Sequence, residues 1–209
     1  MADLRADLIA TARALRAAGL NKGTAGNVSV RDSDGFLITP TGLAYDTLTP
    51  DDIPGMAFDG TWTGTRKPSS EWRFHRDLYA SRPEVGAVLH AHSPFAVSLA
   101  CLRRDLPPFH YMIARFGGDT VRCADYALFG SADLSTAAMR AMAGRKGCLL
   151  ANHGLLVAGR DLDEALALAV ELEELCEQYW RASQLGRPVL LTSEEMGAVL
   201  ERFRTYGQH

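Results

Sequence analysis

Val85-Gly86-Ala87-Val88-Leu89-His90-Ala91-His92 is an apolar run of strand length that ends in two histidines two positions apart. A run this short and free of charge reads as a strand buried on both faces. Cys148 to Val157 (CLLANHGLLV) is a second run of the same kind, broken at Asn152-His153-Gly154, and reads as a central strand pair with a polar interruption. Outward from these, Val28 to Arg31 and Phe36 to Thr39 flank Asp32-Ser33-Asp34-Gly35 and predict a hairpin. Pro54 to Lys67 is rich in Gly and Thr and holds one or two further short strands.

Helical patterns separate the strands. Leu4, Leu8, Ala12 and Leu15 share one face of a helix over 4–20, with Gly19 near its end. The pattern is helical again from Ser70 to Ser81, with Ser69 or Ser70 as N-cap, and Ser93-Pro94 opens a helix that runs through Leu102. Ser131 caps a helix to Ala143, after a loop over Tyr126 to Gly130. A long helix follows Asp161, reaches about Leu185 with Leu168, Leu172, Leu175 and Tyr179 as its apolar stripe, and closes at Gly186-Arg187-Pro188; Glu194 to Phe203 forms a short last helix. Interleaved helices and strands predict an α/β fold, one domain over residues 1–209, whose mixed, largely antiparallel sheet is covered by helices.

Apolar residues make up 47% of the chain and charged residues 22%, enough for a sizeable core. A net charge of -3 supplies no global basic field, so neither nucleic acid nor an anionic membrane surface is an expected partner. No run reaches the roughly 18 apolar residues of a spanning helix. The acidic, helical amino end does not resemble a signal peptide, which predicts a cytoplasmic protein. Cys101, Cys123, Cys148 and Cys176 form no C-x-x-C pair and are expected as small buried hydrophobes.

The chemistry concentrates in a few places. On a strand, His90 and His92 project to the same face and can hold one metal ion. His153, at the end of another apolar strand, is the candidate third imidazole, and three histidines leave a catalytic zinc one open position. The alternative is a set of hydrogen-bonded core histidines with no metal. His75, His110 and His209 lack such company and are expected at the surface or behind the site. In Lys67-Pro68-Ser69-Ser70-Glu71-Trp72, two hydroxyls and free amides at a helix start suit a phosphate, although an ordinary N-cap reads the same way. Gly23-Thr24-Ala25-Gly26-Asn27 and Thr39-Pro40-Thr41-Gly42 add donors only if they converge with it on one anion.

The strings GLNKGTAGNVSV, LITPTG, PSSEWRFH, HAH, HYMIA, YALFG, NHGLL and FRTYG occur in this order along nearly the whole chain. In them the chain resembles the class II aldolases, and among these most closely the bacterial L-fuculose-1-phosphate aldolases. The resemblance implies zinc held by His90, His92 and His153, with Glu71 a ligand in the resting enzyme and the acid/base once substrate displaces it. It implies that Gly26, Asn27, Thr41, Gly42, Ser69 and Ser70 hold the substrate phosphate. Tyr111 and Phe129 would reach a neighbouring subunit's site and meet the aldehyde half of the substrate. Tyr206 would take part in catalysis from the tail, and the assembly would be a homotetrameric ring.

The implied reaction is reversible cleavage of L-fuculose 1-phosphate, or a related deoxyketose 1-phosphate, into dihydroxyacetone phosphate and a short aldehyde such as L-lactaldehyde. A Lewis acid would absorb the electron pair left by the broken bond. Lys22, Lys67 and Lys146 all lie in polar segments, which suits a Schiff base poorly. Glu71 is expected with its pKa raised by a closed, apolar site. The alternatives are a pentulose-phosphate 4-epimerase built on the same step, a noncatalytic module like the adducin head, and a zinc hydrolase.

Overall fold

A computed structural model describes residues 3–205. Eight strands form one sheet in the order β4-β3-β2-β1-β5-β8-β7-β6, where β1 is Asn27–Asp32, β2 Gly35–Ile38, β3 Gly55–Ala57, β4 Trp62–Thr63, β5 Ala87–Ala91, β6 Cys123–Ala124, β7 Gly147–Leu150 and β8 Gly154–Gly159. Every neighbouring pair is antiparallel except β6 and β7. The helices are α1 (Leu4–Ala17), α2 (Trp72–Ser81), α3 (Pro94–Ala100), α4 (Ala132–Ala141), α5 (Leu162–Leu185) and α6 (Ser193–Thr205). Short 3-10 turns cover Tyr45–Thr47, Pro50–Asp52 and Tyr111–Phe116.

Strand alternation divides the core into two layers. Val28, Val30, Leu37, Ala87, Leu89, Leu155 and Val157 face α1, α3 and α5, whereas Phe36, Ile38, Val88, Cys148, Leu150, Leu156 and Ala158 face α2 and α4. Both faces of β5 and β8 are therefore buried, which is why those two segments carry almost no charge. The exception to apolar filling is β1. Its residues Asn27, Ser29 and Arg31 point to the α2 side and meet polar groups there: Arg31 donates to the carbonyls of Val85, Tyr79 and Arg82, at 2.8–2.9 Å.

Several expectations need correction. The first helix ends at Ala17 and α3 at Ala100, where successive turns replace the last residues of each apolar pattern. The N-cap of α2 is Glu71; the Ser69 hydroxyl instead accepts the Glu71 N–H, at 3.3 Å, one turn earlier than the helix itself. Cys148 and Cys176 are buried as expected, but Cys101 is exposed at the end of α3 and Cys123 is partly exposed on the edge strand β6. Strand β6 and the 3-10 turns have too few residues to carry a periodicity. Ser131 caps α4 as expected, and Asp161 caps α5; they accept the N–H groups of Leu134 and Glu164.

One helix start is capped from a distance. Glu173 of α5 accepts the Ser93 hydroxyl at 2.6 Å and the N–H groups of Phe95 and Ala96 at 2.8 Å each. The carboxylate complements the positive end of α3 and ties α5 to the residue after His92. Replacing Glu173 by Ala leaves these donors without partners and is expected to cost about 2–4 kcal/mol. A calorimetric melt should fall by roughly 5–15 °C for a chain of this size; a melt within about 2 °C of the original would remove the cap from the account.

Candidate active site

The central strands meet at one end of the sheet. Asn27 opens β1 opposite His90, Ala91 pairs with Leu155, and Leu150 pairs with Gly154 across the turn that carries His153. His90 and His92 therefore leave β5 beside His153, and the three rings pack nearly perpendicular with centroids 4.7–4.8 Å apart. Asn152, in the left-handed region at φ 55°, makes the tight turn that presents His153. Glu71 comes from the far side, at the start of α2. Its Oε2 lies 3.3 Å from His90 Nε2, and its Oε1 lies 3.2 Å from His153 Nε2.

These four side chains fit a metal ion on their own chemistry. One ligand atom from each lies within 4.8 Å of all the others. His90 Nδ1 is 2.8 Å from the Leu155 carbonyl, which can only accept, so the ring's proton is on Nδ1 and Nε2 presents a lone pair. That lone pair points at His92 Nε2, 2.9 Å away. Glu71 Oε1 is buried without a hydrogen-bond partner, and a cation among the three imidazoles answers both features. Burial lowers the pKa of His90 to about 3, and burial likewise lowers that of His92, so both rings are neutral and available as ligands near neutral pH.

Burial pushes the Glu71 carboxyl up, but His90, His153 and the Asn27 amide lie against it and hold it at about 2. This reverses the expectation of a raised value, because positive charge at the imidazoles, which a bound cation would supply when the rings are neutral, together with the Asn27 amide outweighs the carboxylate's removal from water. Glu71 is thus ionised across the neutral range, and Asn27 Nδ2 donates to its Oε2 at 3.0 Å.

A cleft of about 150 Å³ opens beside this group. Gly26, Asn27, Thr41, Gly42, Ser69 and Ser70 all line it, together with Glu71, His92 and His153. The three loops are pinned side by side: Thr41 N–H donates to the Lys67 carbonyl, Ser69 N–H to the Thr39 carbonyl, and Val28 N–H to the Thr39 hydroxyl. Gly26 admits no side chain, since a Cβ would lie 2.1 Å from Asn21 Nδ2 and 2.6 Å from the His90 carbonyl, and its φ is +75°. Asn21, which carries no motif signal in the sequence, accepts the His92 N–H at 2.8 Å and so joins the glycine loop to the strand of the candidate metal ligands.

The remaining candidates are placed unequally. Phe129 lines the cleft of its own chain, on a loop anchored to α2 by Arg73 Nη1 donating to the Gly130 carbonyl at 2.6 Å. Tyr111 is half exposed on its 3-10 turn and does not line this cleft. Tyr206 and His209 lie outside the described residues.

Residues 6–180 match the family described as the class II aldolase and adducin N-terminal domain. The chain is 56% identical over 206 residues to the 5-methylthioribulose-1-phosphate/5-deoxyribulose-1-phosphate aldolase of Rhodospirillum rubrum, covering 99% of this chain and 93% of that one. It belongs to the class II aldolase family. The L-fuculose phosphate aldolase of Escherichia coli K12 is 44% identical, covering 98% of this chain and 95% of that one. A solved L-fuculose 1-phosphate aldolase superposes with a TM-score of 0.93 at 40% identity, over 98% and 97% of the two chains. Class II aldolases are metal-dependent lyases, and the cluster of Glu71, His90, His92 and His153 is the candidate metal site of this one.

His75 of this aldolase is fully buried on α2, behind the site, and not at the surface. Burial, with a smaller push from His90, lowers its pKa from 6.5 to about 3. The unfolded chain binds this proton below pH 6.5 and the folded chain does not until near 3, so stability is complete above pH 6.5 and declines as the pH falls toward 3. Two pH units below 6.5 the cost is about 3 kcal/mol. Urea midpoints measured with chelator between pH 7 and 4.5 should fall, and His75→Gln should flatten that fall by about one proton; an unchanged slope would show that His75 is not the group responsible.

Proposed function

We propose that this aldolase cleaves a deoxyketose 1-phosphate reversibly into dihydroxyacetone phosphate and a short aldehyde, with zinc held by His90, His92 and His153. What carries the reading is one juxtaposition: the metal-type cluster and the loops of Gly26, Thr41 and Ser69 border the same cleft. Three imidazoles are a zinc-type donor set that leaves a fourth position, which the Glu71 carboxylate would fill at rest and give up to substrate. Zinc, when bound, supplies the Lewis acidity that the electron pair of the broken carbon-carbon bond requires.

The chain's own groups do the rest. Asn27, Thr41, Ser69 and Ser70 offer amide and hydroxyl donors to the phosphate, and Gly26 and Gly42 let the backbone approach it closely. Glu71, ionised and with Oε1 unpaired, is the base that takes a carbon-bound proton from dihydroxyacetone phosphate in condensation and returns it in cleavage. Phe129 forms an apolar border for the aldehyde half. Tyr111, half exposed, serves the aldehyde oxygen of a neighbouring subunit in a homotetramer, and Tyr206 contributes from the tail.

The relatives favour substrates whose aldehyde half ends in a methyl or methylthio group. The R. rubrum relative is named for 5-methylthioribulose 1-phosphate and 5-deoxyribulose 1-phosphate, and L-fuculose 1-phosphate shares the same phosphorylated half and a terminal methyl. We place the 5-deoxypentulose 1-phosphates first, on the higher identity. The purified chain with zinc should release dihydroxyacetone phosphate from 5-deoxyribulose 1-phosphate with a higher kcat/KM than from L-fuculose 1-phosphate. The reverse order would move the preference to the hexulose. Product retaining every carbon in one molecule would mean epimerisation, and silence across the panel would end the aldolase reading.

A further inference from the structure

The geometry points to His75 as a positioning residue for the Glu71 carboxylate, acting through the side-chain amide of Asn27. This rests on the reading of Glu71 as the acid/base.

Five buried side chains form an unbroken line from α2 through β1 and back. Tyr79 OH is 2.8 Å from Ser29 Oγ, Ser29 Oγ is 2.7 Å from His75 Nδ1, His75 Nε2 is 2.6 Å from Asn27 Oδ1, and Asn27 Nδ2 is 3.0 Å from Glu71 Oε2. None is more than 7% exposed. Glu71, His75 and Tyr79 recur every four residues on one face of α2, and Asn27 and Ser29 alternate on the facing side of β1. Water does not substitute for a missing link here without opening the core.

The line has a direction. A side-chain amide is nearly symmetric in shape but carries donors at one end and an acceptor at the other. Turned the wrong way, Asn27 would set its carbonyl against the Glu71 carboxylate, acceptor on acceptor. Turned the right way, its Oδ1 needs a donor, and among the described residues that donor is His75 Nε2. A neutral imidazole donates from one nitrogen and accepts at the other, so Nδ1 must accept from the Ser29 hydroxyl, which in turn receives the Tyr79 O–H. The Nε2–H tautomer of His75 thus fixes the amide, and the amide holds Oε2 while Oε1, without a hydrogen bond, lies 3.2 Å from His153 Nε2. A base located to within a few tenths of an ångström keeps its proton in line with the reacting carbon.

A filler role in the core would ask only for volume, whereas this role asks for a donor at the Nε2 position. His75→Leu removes the donor, and His75→Gln places an amide N–H near where Nε2 stood. In zinc-loaded enzyme His75→Leu is expected to lower kcat about 10–100-fold with KM within about twofold and zinc retained, and His75→Gln to recover most of that loss. In a Glu71→Gln background His75→Leu should add nothing, since its effect passes through the carboxylate. Equal losses in Leu and Gln variants, or the same loss in both backgrounds, would overturn the proposal. Nitrogen-15 spectra of the wild-type imidazoles decide it without any variant: His75 is expected neutral with its proton on Nε2, and a proton on Nδ1 would refute the relay. That spectrum does not depend on Glu71 being the base, so full activity in Glu71→Gln alone would defeat the functional reading and leave the relay standing.

Discussion

Glu71→Gln is expected to keep its metal and lose turnover by about 10²–10⁴-fold. The substitution is isosteric, and its amide carbonyl can still accept from Asn27 Nδ2, so the start of α2 and the loop of Ser69 and Ser70 should stay in place. Three imidazoles remain to hold the ion, because His90 is fixed by the Leu155 carbonyl and His92 by Asn21, neither of which involves residue 71. What disappears is the one group in the cleft that is ionised at neutral pH and free to carry a carbon-bound proton. Elemental analysis and a steady-state assay on the same preparation test the separation of roles. Loss of metal in parallel with activity would make Glu71 a ligand first and a base second; retained turnover would exclude it as the base.

His92→Ala should do the opposite and lose the ion. His92 is the candidate ligand on the cleft side of β5, and with it gone two imidazoles and a carboxylate are left for a cation that three imidazoles would hold. Lewis-acid stabilisation worth several kcal/mol then vanishes, and at about 1.4 kcal/mol per tenfold the rate should fall by three orders of magnitude or more. The backbone should tolerate the change, since Asn21 accepts the residue 92 N–H whatever the side chain. A metal that binds only the folded chain also raises its stability. Wild-type protein melted in chelator should therefore approach the melt of His92→Ala, and the two should separate only when zinc is returned. A variant that bound zinc as wild type does would remove His92 from the ligand set.

The legible part of this protein is the part with short-range causes. The apolar runs around His90 and His153, the Asp-Ser-Asp-Gly turn and the cap Ser131 act over a few residues, and each lies where its pattern places it. The family motifs carried most of the candidate site, because each string is a loop whose donors are local. The start of α2 lies past Ser69 and Ser70, because a serine hydroxyl caps a helix or braces the turn before it equally well, and here the Ser69 hydroxyl accepts the N–H of Glu71, the N-cap.

His75 shows where local reading stops. Its i,i+4 spacing from Glu71 and the polar alternation of Asn27, Ser29 and Arg31 were visible in the chain, but nothing local says that one of these faces meets the other. That depends on β1 lying between β2 and β5, and on α2 crossing its open face. The ionisation of Glu71 has the same origin, since desolvation and the neighbouring imidazoles oppose each other and only their distances decide which wins. Residue order alone thus set the elements, the donor types and the family. Which side chains share a proton, and which oxygen of Glu71 is left unpaired, followed from packing, because hydrogen bonds and charges act through space and not along the chain.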